Sequence, residues 1–349
     1  MNQITSRQNQ ILDIVQLNPG LSPKFLQSQI SPPISLVTLS RDLSRLVSLG
    51  YLNRTGSGPS TTYSLTTYAH FFRQINYQNY FSIEPDKRHI LDHFNFDIFD
   101  SLSHIQVFSH SELTNLKQLK AKYQHDYSQL SKTIINKEIE RVTIELSWKS
   151  SVIEGNTYNL LDTENLLKQG IEAKGKKKEE TVMLLNHKAA IDFIFTHPKT
   201  FQTINIPKIE HLHQIITRNL SVTSNIRKTL IGITGTKYQP IDNQFQIEDA
   251  LRQACHLINS LKDPFTKSLL AILLLSYIQP FEDGNKRASR ILGNAVLLAN
   301  NCFPIPLRSV DENLYKQATL LFYEQNNLEL FKSIFIEQCH FSVENYFRL

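Results

Sequence analysis

The sequence predicts a mainly α protein: a small N-terminal unit of three helices and a hairpin, then a large helical bundle. Three observations carry this. Apolar residues recur at three- and four-residue spacing through most of the chain, as one face of a helix requires. Residues 265–278, FTKSLLAILLLSYI, are apolar on every face and mark a helix buried in a core. Strand-like composition, rich in Thr, Tyr, Ile and Gly, is confined to residues 51–65 and 227–240.

The first 66 residues form a pattern of their own. Ile11, Leu12, Ile14 and Val15 predict a first helix that stops near Asn18-Pro19-Gly20. Ser22-Pro23 is a helix start, a capping hydroxyl followed by a residue that needs no N–H. The second helix carries Phe25, Leu26 and Ile30. Ser35 opens a third, with Leu36, Leu39, Leu43, Leu46 and Leu49 on one stripe, and Gly50 ends it. Residues 51–54 and 61–65 then read as two short strands around a Gly/Ser/Pro tip. Three helices and a hairpin resemble a winged helix-turn-helix. Its third helix would present Thr38, Arg41, Ser44 and Arg45 to a major groove, and Arg54 would reach the backbone or minor groove. Five basic against two acidic side chains leave this segment at +3. DNA is the partner this implies; a module for dimerisation or internal contacts is the plainer reading, and a homodimer stays open.

Residues 67–108, rich in Phe and Tyr without a clear period, are expected to be a connector. A helical domain is expected over 109–349, with Ser109 opening one helix and Ile134–Ile153 forming the next. The charged run Lys174–Glu180 fits a solvated loop between helices better than a phosphate cradle.

Bulk properties narrow the classes. The 349 residues, 41% hydrophobic and 20% charged, suit a globular protein of two or three domains. A net charge of +5 permits nucleic-acid binding without demanding it. Cys255, Cys302 and Cys339 are far apart and odd in number, which argues against a disulfide framework or zinc site. The longest apolar run is too short to span a membrane. The polar opening MNQITSRQNQ does not read as a signal peptide, so a cytoplasmic location is expected.

The chemistry gathers at Gln279–Arg290, QPFEDGNKRASR. Asp283-Gly284-Asn285 is a tight turn between two helices, and the second helix offers free N–H groups and a positive dipole end. Gly284 permits close approach to the backbone, and Lys286, Arg287 and Arg290 add three cations within the first turns. Such a site suits a polyphosphate. Asp283 in the same turn is placed to hold Mg²⁺, which binds through a carboxylate and substrate phosphates.

These residues resemble the signature of the Fic (Fido) family, HxFx(D/E)GNxRxxR, with the resemblance extending over roughly 110–349. It implies a Fic-like helical bundle with a β-hairpin flap, and transfer of AMP from ATP to a protein hydroxyl. By resemblance Asp283 would bind the metal and Gly284, Asn285 and Lys286 would line the anion hole. Arg287 would hold the inner phosphates and Arg290 the γ-phosphate. Residues 227–240, with Gly235 and Tyr238, would be the flap that docks a target protein. Ser150–Asn156 resembles the family's inhibitory motif, which would set Glu154 against Arg290; the plainer reading is a helix end with Gly155-Asn156 as its stop signal.

One departure matters most. Gln279 stands where the family has its catalytic histidine, and an amide cannot take a proton at neutral pH. Lys286 replaces a glycine, as in relatives that phosphorylate. Two readings follow. In one, the chain is an ATP-binding, DNA-reading regulator with impaired AMP transfer. In the other, it is a working protein adenylyltransferase autoinhibited by Glu154, with phosphotransfer as a weaker variant.

Overall fold

A computed structural model describes residues 4–349. Helices dominate, and the chain divides into two compact units. The first comprises the N-terminal stretch to Asp92 with Gly235–Lys237 and Leu320–Phe331; the second comprises the rest.

The first unit begins with α1 (Ser6–Leu17), α2 (Pro23–Gln29) and α3 (Leu36–Ser48). Each has the hydroxyl cap its sequence calls for: Thr5, Ser22 and Ser35 accept from the N–H three residues on. β1 (Leu52–Thr55) and β2 (Thr62–Leu65) pair antiparallel, Leu52 opposite Leu65 and Thr55 opposite Thr62. Ile11, Leu12, Val15, Leu26, Leu39, Leu43 and Leu46 make one core. Leu36 does not join it: in the first turn of α3 it is 51% exposed, and the buried stripe starts one turn later at Leu39. Asp42 is buried and accepts from Arg7 Nε (2.6 Å) and Gln8 Nε2 (2.9 Å), which ties α3 to α1. The connector is helical where its composition shows no period: α4 (Thr67–Phe72) and α5 (Tyr77–Ser82) lie in this unit.

The second unit holds α6 (Ile98–Ser103), α7 (His110–Gln129), α8 (Lys132–Ile153), α9 (Leu160–Gln169) and α10 (Lys178–Thr196). It continues with α11 (Ile206–Thr217), α12 (Gln244–Ser260), α13 (Pro264–Ile278) and α14 (Asn285–Ala299). α15 (Glu312–Gln325) and α16 (Glu329–Asn345) complete the chain, the ends that face each other in sequence belonging to the first unit. α14 is central and packs on α13, α11, α10 and α8. α13 is buried along nearly its whole length, which explains its lack of a polar face.

The hairpin expected at 227–240 does not form as strands. Residues 227–238 carry no strand, and Gln239 makes a single parallel bridge to His93. The carbonyls that a ladder would use have other donors. Arg227, fully buried, donates to Thr229 O (2.8 Å) and to Ile241 O. Arg88 donates to Gly235 O within the first unit.

α13 and α14 approach closely at Gly293, whose carbonyl accepts from Ser268 Oγ (2.9 Å). A Cβ there would stand 2.4 Å from Ile272 Cγ1. Gly293→Ala is therefore expected to lower stability by about 1–3 kcal/mol in urea unfolding. Adding Ile272→Val, which removes the Cδ1 that would stand 2.6 Å away, should recover part of that loss; an unchanged midpoint in the single variant would refute the close packing.

Candidate active site

The site is built by a reversal of direction in few residues. α13 closes on Gln279 in the left-handed region (φ 52°, ψ 58°), and Gly284 (φ 83°, ψ 0°) precedes the first turn of α14. Glycine takes this conformation freely, whereas glutamine is held there at a cost. Three hydrogen bonds hold it. Gln279 N donates to Leu275 O (3.2 Å), its Nε2 donates to Ser276 O (2.6 Å), and its carbonyl accepts from Arg227 Nε (2.7 Å). Arg227 N also donates to Pro280 O at 2.9 Å. One residue thus clamps the entry of the turn through both its side chain and its backbone.

Asn285 closes the turn from the other end. Its Oδ1 accepts from Phe281 N (2.8 Å) and its Nδ2 donates to Phe281 O (2.7 Å), so this side chain shapes the loop. His213, on α11, forms the floor. Its ring stacks on Phe281 with centroids 3.7 Å apart, and Nε2 donates to Asp283 O at 2.8 Å. Burial, with help from Arg287, pushes this imidazole down to about 4, so it stays neutral. A Cβ on Gly284 would meet Thr217 Cγ2 at 3.0 Å and His213 Nε2 at 3.3 Å, a second reason for glycine at this point.

With Gly284 as the cap, α14 has no capping side-chain hydrogen bond at its start. The cations stand around it. Arg287 is 2% exposed; its Nη2 donates to Asp283 Oδ2 (2.6 Å), and its buried Nη1 has no acceptor. Arg290, 1% exposed, donates from Nε to Ser150 Oγ and from Nη2 to Ser150 O, each at 2.8 Å. Its Nη1 stands 2.8 Å from Glu154 Oε1. That contact is a buried ion pair. Burial pushes the Glu154 carboxyl upward, but Arg290, Lys286 and Arg287 outweigh it and hold it below the ordinary value. The pair therefore keeps its charge and its stabilisation above the ordinary carboxylate range. Both are lost only as pH falls through the depressed value.

Glu154 sits there because α8 ends there: it is the C-cap, and Gly155 follows at φ 94°. The helix stop and the ion pair are one feature. Behind it lies a residue the sequence does not single out. His187, on α10, is fully buried, and burial pushes it down to about 3. It lies 2.9 Å from Met183 O through Nδ1 and 2.9 Å from Ser150 Oγ through Nε2. A neutral ring must donate from Nδ1 to the carbonyl, so Nε2 accepts the Ser150 proton. Ser150 in turn accepts from Arg290 and stays a fixed partner of it.

Other expected positions lie elsewhere. Tyr238 is 2% exposed, stacks on Tyr277 at 5.0 Å and donates from its hydroxyl to Tyr277 O (3.2 Å). Gly235 takes φ 86°. In the first unit Arg41, Arg45 and Arg54 are exposed, while Thr38 is half-buried with its hydroxyl 2.9 Å from Ser35 Oγ.

Asp283 fits a divalent cation of one kind. Its side chain is 65% exposed, and no group of three or more His, Cys, Asp or Glu is found among the described residues. A single carboxylate suits Mg²⁺, which fills its shell with phosphate and water oxygens, and does not suit zinc.

Residues 203–297, which span α11 to most of α14, match the model of the Fic/DOC family. Protein adenylyltransferase fic-1 of Caenorhabditis elegans is 24% identical over 200 residues, 56% of this chain and 39% of that protein. A probable protein adenylyltransferase of Aquifex aeolicus is 26% identical over 186 residues, 53% of this chain and 52% of its own. The chain thus matches about two fifths to one half of these relatives' length. Among solved structures, C. elegans Fic-1 superposes with a TM-score of 0.56 at 21% identity, over 68% of this chain and 70% of that one. A Fic domain-containing signaling protein from Bacteroides thetaiotaomicron gives 0.55 at 20% identity, over 66% and 96%. The turn between α13 and α14, with the cations around it, therefore lies inside the stretch, residues 203–297, that matches the Fic/DOC family model.

Proposed function

We propose that this chain is an ATP-binding Fic-domain regulator with impaired AMP transfer, joined to a DNA-binding winged helix-turn-helix at residues 1–66. Gln279 carries the reading. It occupies the place of the family's histidine, and its amide donates to Ser276 O. Transfer needs a target hydroxyl oxygen to attack the α-phosphorus while pyrophosphate leaves, and the hydroxyl proton must go to a base. Glutamine cannot accept it. The loss is worth about 10²–10⁴-fold in rate.

Binding does not share that defect. The N–H groups at the start of α14, the unpaired Nη1 of Arg287 and the side chain of Lys286 present donors to a polyphosphate. Arg287 would exchange Asp283 for the inner phosphates, which leaves the carboxylate to Mg²⁺. The ion supplies charge neutralisation on the phosphates. Arg290 would take the γ-phosphate only by giving up Glu154, so Ser150 and Glu154 act as an internal competitor. That the matched relatives are named protein adenylyltransferases supports ATP as the nucleotide. Target docking is assigned to the edge of 227–240, where Leu230 is 76% exposed, rather than to the buried Tyr238. The caps and antiparallel strands of residues 5–65 support the winged helix-turn-helix reading, and the exposed Arg41, Arg45 and Arg54 support contact with DNA.

Titration of Mg²⁺·ATP into the full chain should show binding that Arg287→Ala weakens at least about tenfold, the worth of one charge-assisted bond. Equal affinity in that variant would remove the nucleotide site. Incubation with labelled ATP should yield no AMP–protein adduct from the wild type or from Glu154→Gly. Gln279→His combined with Glu154→Gly should yield one; an adduct from Glu154→Gly alone would favour a working transferase. For residues 1–66, Arg41→Ala with Arg45→Ala should weaken binding to DNA upstream of the chain's own gene and flatten its salt dependence. Wild-type binding that ignores salt would count against the DNA reading.

A further inference from the structure

The first unit contains a cleft of about 600 Å³. That volume is in the range of small-molecule sites. It is walled by Leu17 of α1, Ile75, Tyr80 and Ile83. At its base lie two arginines that are almost completely buried: Arg73 is 4% exposed and Arg88 is 3% exposed.

Arg88 is partly accounted for: its Nε also lacks an acceptor, but the group has a carboxylate beside it. It donates to Gly235 O, lies 3.3 Å from Glu324 Oε1, and stacks over Tyr80 and Phe81 at 5.6 and 5.0 Å. The other cations on the cleft have partners too: Lys87 meets Glu84 at 2.8 Å and Lys237 meets Asp92 at 3.6 Å. Arg73 differs. Nη2 donates to Gln325 Oε1 (3.1 Å), but Nε and Nη1 are buried without an acceptor. The nearest carboxylate, Asp13 Oδ1, stands 3.8 Å from Nε and belongs to a side chain that is 56% exposed. On the same wall Gln16 Oε1 is buried and has no donor. A buried guanidinium with two idle donors is costly; Nε–H and Nη1–H point away from each other, so a carboxylate would meet the group through one charge-assisted hydrogen bond and its full charge rather than through a fork.

We infer that this cleft binds a small carboxylate with an apolar body, its carboxylate on Arg73 and its body against Leu17, Ile75 and Ile83. A hydroxyl or amine on the ligand would meet Gln16 Oε1. The site uses no residue of the nucleotide site and stands independently of the function proposed above.

The test is calorimetric and thermal-shift titration of the full chain with benzoate and hexanoate. Benzamide and inorganic phosphate serve as controls. Saturable binding of either carboxylate, with little from benzamide, is expected. Arg73→Gln should weaken it about tenfold or more. Asn79→Trp, at an exposed residue on the cleft wall, should block it in a chain whose buried arginines are untouched. Arg287→Ala should leave it unchanged. The proposal is overturned if neither carboxylate saturates at millimolar concentration, if phosphate binds and both carboxylates do not, or if a folded Asn79→Trp chain binds as the wild type does.

Discussion

The reversal between α13 and α14 is the constraint on which the site depends. Two helices that touch at Gly293 can be joined by so short a turn only if backbone positions enter the left-handed region at both ends. Gly284 does so freely. Gln279 does so because Arg227, Ser276 and Leu275 take its polar groups. The same turn opens α14, whose Arg287 and Arg290 are buried, and buried guanidinium groups act in a medium less screening than water. The grouping of these cations is thus a by-product of how the two helices are packed.

Much of this was legible in the sequence because it is local. Hydroxyl caps at Ser22, Ser35 and Ser109 and the all-apolar face of residues 265–278 fix helices whose starts the structure places within a residue or so. The turn at Asp283-Gly284-Asn285 reads from three adjacent side chains. What could not be read is long-range. His187 meets Ser150 across 37 positions, and Arg227 meets Gln279 across 52. Nothing in the periodicity of α10 separates a histidine that packs from one that orients a serine. The segment 227–240 departs from the expected strands for a related reason. Its composition favours extended backbone, but a ladder needs partners, and arginine side chains reach the carbonyls first.

The connector is a milder case. Its aromatic residues show no period because they belong to short helices and loops serving two different cores. Phe71 and Phe72 are buried in the first unit, Phe94 and Phe99 in the second. A stretch shared between two cores has no single face to conserve along its length.

The buried imidazole of His187 gives the site a polarity. Because the ring stays neutral, hydrogen-bond donation runs one way, from Arg290 to Ser150, from Ser150 to the ring, and from the ring to the Met183 carbonyl. Such a chain has no second arrangement of its protons that keeps every link. Arg290 is consequently a rigid post: Glu154 can leave it without the guanidinium turning to follow. A departure of the Glu154 carboxylate would then be a movement of the residue that caps α8, with the Arg290 guanidinium already held in place by Ser150.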